Sequence, residues 1–229
     1  MPAGDTSDVG ARVLRRSTLT VCAALALALP ALAAAQASAQ TITVVQPCVV
    51  ATSTTNDTMT VNGAGFTAGD NVELQSTQGG AFGSAVVAAG GTFSATVTDP
   101  VLSTQAPGEQ SFTLNATDET NAATATTTFE SANLAFATKP ATAKPTKKVT
   151  WMFSGFTSGD SIYGHYLHGG KVRATKNFGT ATGPCGVLTT KAKFYPGIAK
   201  YLSYKLQVDD SAQYSASSTP SLVATLFTF

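Results

Sequence analysis

Hydrophobic and polar residues alternate along this chain with a period of two. Thr58-Met59-Thr60-Val61, Phe93-Ser94-Ala95-Thr96-Val97, Phe112-Thr113-Leu114 and Leu202-Ser203-Tyr204-Lys205-Leu206-Gln207-Val208 each put apolar side chains on one side of an extended backbone and polar ones on the other. Thr, Val and aromatic residues fill these runs, while Gly, Pro, Asn and Asp stand between them, where tight turns need them. Beyond the first forty residues no segment sustains a helical period. The pattern predicts an all-β chain of half-buried strands, as in a β-sandwich.

The pattern also repeats. Gly65-Phe66-Thr67-Ala68-Gly69-Asp70-Asn71-Val72 returns ninety positions later as Gly155-Phe156-Thr157-Ser158-Gly159-Asp160-Ser161-Ile162, and the same offset carries Gly79-Gly80 onto Gly169-Gly170. Further along, Phe112-Thr113-Leu114-Asn115-Ala116 matches Tyr204-Lys205-Leu206-Gln207-Val208 at an offset of ninety-two. Two copies of one domain, 40–131 and 132–229, account for both offsets. Each copy is close to the commonest domain size of roughly 100–150 residues. The repeated motif is expected to be a structural turn, made by Gly65, Phe66, Gly69 and Asp70 in the first copy and by Gly155, Phe156, Gly159 and Asp160 in the second. Its second glycine would supply a positive φ, its Asp would bond to turn amides, and its Phe would close the end of the sandwich.

The first 39 residues read as a cleaved signal peptide. Arg12, Arg15 and Arg16 precede an apolar stretch from Leu19 to Leu32, followed by the small-x-small sites Ala35-Gln36-Ala37 and Ala37-Ser38-Ala39. The Arg15-Arg16 pair leaves both the general secretory and the twin-arginine routes open. No later run reaches the ~18 apolar residues of a membrane helix, so the mature chain is expected to have no transmembrane segment and a secreted or extracytoplasmic cell-surface address.

The second copy carries a longer signature: Ile162-Tyr163-Gly164-His165-Tyr166, Gly170-Lys171-Val172-Arg173-Ala174-Thr175 and Phe178-Gly179-Thr180-Ala181-Thr182-Gly183-Pro184-Cys185-Gly186. With the Gly-Phe-Thr-x-Gly-Asp turn, this resembles uncharacterised exported actinobacterial proteins built of immunoglobulin-like sandwich repeats. The resemblance spans nearly the whole mature chain. It implies two tandem immunoglobulin-like β-sandwich domains and an extracellular address; it brings neither catalytic residues nor a ligand.

Cys48 and Cys185 remain after leader removal, and an even count outside the cytosol makes them candidates for a disulfide. Two separate thiols and an intermolecular bridge are the alternatives. No zinc set, phosphate loop or dense calcium loop stands out, and no third group orients Cys185 and His165 for nucleophilic chemistry. Neither a metal, nor a cofactor, nor enzyme activity is expected.

Charge changes the picture more than composition does. The chain's net charge of +1 hides two opposed halves. From Gln40 to Glu130 there are eight acids and no base; from Ser131 to Phe229 there are ten Lys and Arg173 against Asp160, Asp209 and Asp210. Every Tyr, Trp and His of the mature chain is in the basic half. Alternation puts Ile162 and Gly164 in its core, with Val172 and Ala174 also inward. Tyr163, His165, Lys171 and Arg173 are then left together on an outer face. Cations beside aromatic rings suit sugar rings and the phosphates or carboxylates of anionic envelope polymers. The expected function is a non-enzymatic exported binding or adhesion module, with the acidic domain as a spacer. The alternative is a structural protein that self-associates head to tail, acidic domain against basic domain. Nucleic acid is not an expected partner of an exported chain.

Overall fold

The computed structural model describes residues 39–51, 58–78, 81–98, 102, 106–197 and 201–227. The expected signal peptide lies outside them except for Ala39. Among the described residues there are strands, turns and bends but no helix, so none that could span a membrane. The fold is all-β, and its sheets pack face to face as sandwiches.

The first sandwich sets a three-stranded sheet against a five-stranded one. Strands β1 (Thr41–Val44), β2 (Cys48–Ala51), β3 (Thr58–Ala64), β4 (Asn71–Ser76), β5 (Ala81–Val86), β6 (Thr92–Thr98), β7 (Glu109–Asp118) and β8 (Thr124–Asn133) build it, in the orders β1-β3-β6 and β2-β8-β7-β4-β5. The opening segment thus serves both sheets: β1 pairs antiparallel with β3, and β2 pairs parallel with the end of β8. Period-two alternation drives the packing. Met59 and Val61 of β3, Val72 and Leu74 of β4, Phe93 and Val97 of β6, and Phe112 and Leu114 of β7 are buried together.

The second sandwich follows without a spacer, since Leu134 alone separates β8 from β9. Strands β9 (Ala135–Lys139), β10 (Lys148–Ser154), β11 (Ser161–His168), β12 (Lys171–Thr180), β13 (Leu188–Lys193), β14 (Ser203–Asp209) and β15 (Ser221–Phe227) form sheets ordered β13-β10-β9 and β12-β11-β14-β15. Its core is aromatic. Trp151 is wholly buried and lies within 4.7–6.4 Å, centroid to centroid, of Phe136, Phe153, Phe178 and Phe194.

Strand pairing explains the two sequence offsets. Leu74 of β4 faces Ala116 of β7, and Gly164 of β11 faces Val208 of β14, so the second copy has two extra residues between these paired strands. Volume is exchanged at the same site. Where the first copy has Leu74, Gly164 leaves its Cβ position to the ring of Phe178, which lies 2.6 Å away.

Both motif turns take the same form. Gly69 and Gly159 have φ of 88° and 90°, and their N–H groups donate to Val87 and Ala181 respectively. Those partners return their own N–H groups to the carbonyls of Asp70 and Asp160. Phe66 and Phe156 are buried beneath the turns.

The two sandwiches meet at the second turn. Cys48 of β2 and Cys185, in the β12–β13 connection, form a disulfide with Cα atoms 5.2 Å apart. Gly155 donates its N–H to the Cys185 carbonyl, and a Cβ there would meet the Leu134 backbone at 2.7 Å and Val50 at 2.9 Å.

The expected outer face needs correction at three points. His165 is fully buried, because residues 210–220 fold across it. Val172 is 39% exposed rather than inward. The β11–β12 register slips between Tyr166 and Leu167, so that Tyr166 faces Ala174 but Leu167 faces Val172, leaving Arg173 as the bulged residue. Finally, the four residues do not share one surface. Tyr163 and His165 lie on the sheet's outer face, whereas Lys171 and Arg173 sit at the β11–β12 hairpin end.

Candidate functional site

The outer face of β11, β14 and β15 is built in rows across the strands. His165, Gln207 and Val223 are register partners in one row; Leu167, Lys205 and Thr225 form the next, toward the hairpin tip. In the first copy Gln75 and Asn115 hold the places of His165 and Gln207, and Thr117 that of Asp209. Gln75 is exposed there, because residues 119–123 join β7 to β8 in a tight turn. The second copy joins β14 to β15 with residues 210–220, long enough to lie back over the sheet.

A buried polar network holds this segment down. His165 Nε2 faces two acceptors, Asp209 Oδ1 at 3.2 Å and the Ser211 carbonyl at 3.0 Å, so it carries the ring proton toward them. Nδ1 lies 3.1 Å from Thr175 Oγ1. Gln207 Nε2 donates to Asp209 Oδ2 at 2.7 Å and to the Ser215 carbonyl at 2.6 Å. The Ser211 N–H closes back on Asp209 Oδ1 at 3.1 Å. Buried polar groups are costly unless paired, and here the pairing partners are main-chain groups of the covering segment. Thr175, His165 and Asp209 align as hydroxyl, imidazole and carboxylate. With the Ser211 carbonyl on Nε2 and the Tyr214 ring packed T-shaped on the imidazole, centroids 5.8 Å apart, the line braces residues 210–220.

Tyr214 is the product of that bracing. The residue is 38% exposed and stands beside the second row. It lines a cleft of about 470 Å³ together with Leu167, Lys205, Thr225, Ser203 and His168. Lys205 faces Leu167 on one side and Thr225 on the other, so these three make the floor. No acidic side chain lines the cleft.

Next to it, the end of the sandwich carries a stack of rings and a cation. The His168 ring lies 3.6 Å from Tyr201, nearly parallel, and the Arg173 guanidinium sits 5.6 Å above Tyr201 while its Nε donates to the His168 carbonyl. Tyr204 and Tyr195 stack behind at 4.4 Å. Burial pushes the Tyr195 hydroxyl up to about 12, with Tyr204 adding to the rise, so the ring stays neutral at any physiological pH. Lys171 pairs with His168 at the hairpin tip and is exposed.

Thus Lys171 and Arg173 gather with His168 and Tyr201, and His165 supports the neighbouring cleft from below. Sequence alternation found none of Tyr214, Lys205, Gln207, Asp209 or Tyr201 as site residues. The signal available for them was the length of the β14–β15 connection relative to its first-copy counterpart. A larger cleft, about 710 Å³, lies where Val50, Leu134 and Gly155 meet Leu222 and Val223, and no charged side chain lines it.

No protein-family model matches the chain, and no curated protein matches it in sequence. Solved structures align with it at low similarity. A tetra-tandem repeat from the extending region of a large adhesion protein is 14% identical, covers 82% of this chain and has a TM-score of 0.28. This chain spans about half of that protein, 48%. A DUF3823 family protein from Bacteroides ovatus is 10% identical over 82% of this chain and 98% of its own length, with a TM-score of 0.25.

Proposed function

We propose that this protein is a non-enzymatic, extracytoplasmic binding module whose second sandwich engages anionic envelope polymers or glycans, the acidic first sandwich serving as a spacer. The observation that carries the reading is the Arg173–Tyr201–His168 stack beside exposed Lys171, at one end of the half that holds eleven of the chain's fourteen Lys and Arg residues. Stacked rings offer flat apolar faces to sugars, and the adjoining cations offer charge to phosphate or carboxylate. The disulfide fits an oxidising compartment, in line with the leader-like first 39 residues.

The test is co-sedimentation of the intact protein with isolated bacterial envelopes and with an insoluble anionic polysaccharide. Exposed charge contacts are screened as the Debye length shrinks from about 10 Å at 0.1 M salt to about 3 Å at 1 M. Binding is expected at the lower salt, lost at the higher, and strongly reduced in a Lys171→Glu/Arg173→Glu variant. Absence of sedimentation at both salts, or equal sedimentation of the variant, overturns the reading.

A further inference from the structure

The cleft beneath Tyr214 has a more specific chemistry than a basic surface. Its wall is a tyrosine ring fixed in place: the imidazole it leans on is bonded to Thr175, Asp209 and Ser211, and the segment that carries it is tied again through Gln207 to Ser215. Its floor, Leu167, Lys205 and Thr225, combines an apolar patch, a cation and a hydroxyl in one row. Ser203 adds a second hydroxyl, and Gly169 and Gly170, at φ of 59° and 72°, have nothing within 4 Å of their Cβ positions, so the rim there is bare. The first copy, with its tight 119–123 turn, has no counterpart to this wall.

We infer that this cleft is a saccharide subsite for a single sugar ring bearing an acidic group, with Tyr214 as the stacking platform and Lys205 as the partner of the acid. A pyranose has an apolar C–H face that matches an aromatic ring, and hydroxyls that match Ser203 and Thr225. A carboxylate or phosphate on the ring finds Lys205 and no opposing acid in the lining. His165 and Gln207 act through the segment they hold and are positioning residues. This inference rests on the binding-module reading and names the site and ligand class within it.

The experiment titrates the intact protein with methyl β-D-glucuronide, with its 6-phosphorylated glucoside counterpart and with neutral methyl β-D-glucoside, following saturation transfer and chemical shifts by NMR. At least one acidic sugar is expected to bind ten-fold or more tightly than the neutral one. The two acidic arms separate a carboxylate-bearing from a phosphate-bearing ligand. Tyr214→Ala is expected to lose binding ten-fold or more, and Tyr214→Phe to keep it, with the Trp151 emission verifying that each variant is folded. Lys205→Gln is expected to bring acidic and neutral sugars to equal affinity. Binding of no sugar, or unchanged binding by Tyr214→Ala, overturns the inference. Envelope co-sedimentation run on the same samples separates the two readings: if it persists while no sugar binds, only the subsite fails, and if neither is seen, the binding module fails with it.

Discussion

Cys48 and Cys185 stand 137 residues apart in sequence and 5.2 Å apart at their Cα atoms, joining the sheet-switching strand of one sandwich to a turn of the other. A cross-link over so long a loop removes much freedom from the unfolded chain, with a typical contribution of about 2–4 kcal/mol. A Cys48→Ser/Cys185→Ser variant is therefore expected to lose about that much unfolding free energy, read as a lower denaturant midpoint. Its small-angle scattering should also show a larger radius of gyration, because Leu134 is then the only covalent link between the sandwiches. Coincident unfolding curves and scattering profiles would mean that packing alone holds the junction.

Gly155 and Gly159 share a left-handed conformation, φ 80° and 90°, yet differ in surroundings. A side chain in that conformation costs about 1–2 kcal/mol at either position. At Gly159 a Cβ meets nothing within 4 Å, whereas at Gly155 it meets the Leu134 backbone and Val50. Gly155→Ala should thus destabilise clearly more than Gly159→Ala in parallel denaturant titrations. Equal losses would show that the junction yields to a methyl group.

Much of this architecture was legible in the sequence, because it depends on local pattern. Alternation in Phe93–Val97 or Ser203–Val208 is a property of strands themselves, although Leu202 lies just before β14 and is exposed, and the two repeat offsets match β4 to β11 and β7 to β14. His165 was placed correctly on the outer side of its sheet, opposite Ile162 and Gly164. Its burial was not legible, since the cover comes from Ser-Ala-Gln-Tyr-Ser-Ala-Ser-Ser-Thr-Pro, residues 211–220, a polar segment without periodicity that docks through its main-chain carbonyls. Val172 was misread for a related reason. A bulge at Arg173 is fixed by pairing with the neighbouring strand, and one inserted residue reverses every inward and outward assignment beyond it.

Trp151 makes the second sandwich separately observable. It is the chain's only tryptophan, fully buried, and its Nε1 has no hydrogen-bond partner. Its emission should be blue-shifted in the native state and should report the unfolding of the second sandwich alone. Trp151→Ala is expected to cost about 3–5 kcal/mol. Trp151→Phe should cost markedly less, because no hydrogen bond is broken and the rings of Phe153, Phe178 and Phe194 remain to pack against. A native emission maximum like that of free tryptophan would contradict this core.

Asp118 and Asp210 should give the protein opposed responses to acid. Burial pushes the Asp118 carboxyl up, but the amides of Thr120, Asn121 and Thr67 and a bond with Asp70 outweigh it and hold the group below the ordinary aspartate value. Its folded pKa is then lower than its unfolded one. The ionised form stabilises the first sandwich above an unfolded value of about 3.9, and that contribution is lost as pH falls through the folded value. Asp210 is shifted the other way, first by burial and then by the neighbouring charges of Asp160 and Asp209. Its stabilising form is the protonated one, whose contribution is lost as pH rises through the raised folded value. Asp118→Asn is expected to lower stability at pH 7 and to flatten its decline in acid, whereas Asp210→Asn should raise stability at pH 7. Melting curves by circular dichroism between about pH 3 and 7 follow both variants, and a stabilising Asp118→Asn or a destabilising Asp210→Asn would reverse the assignment.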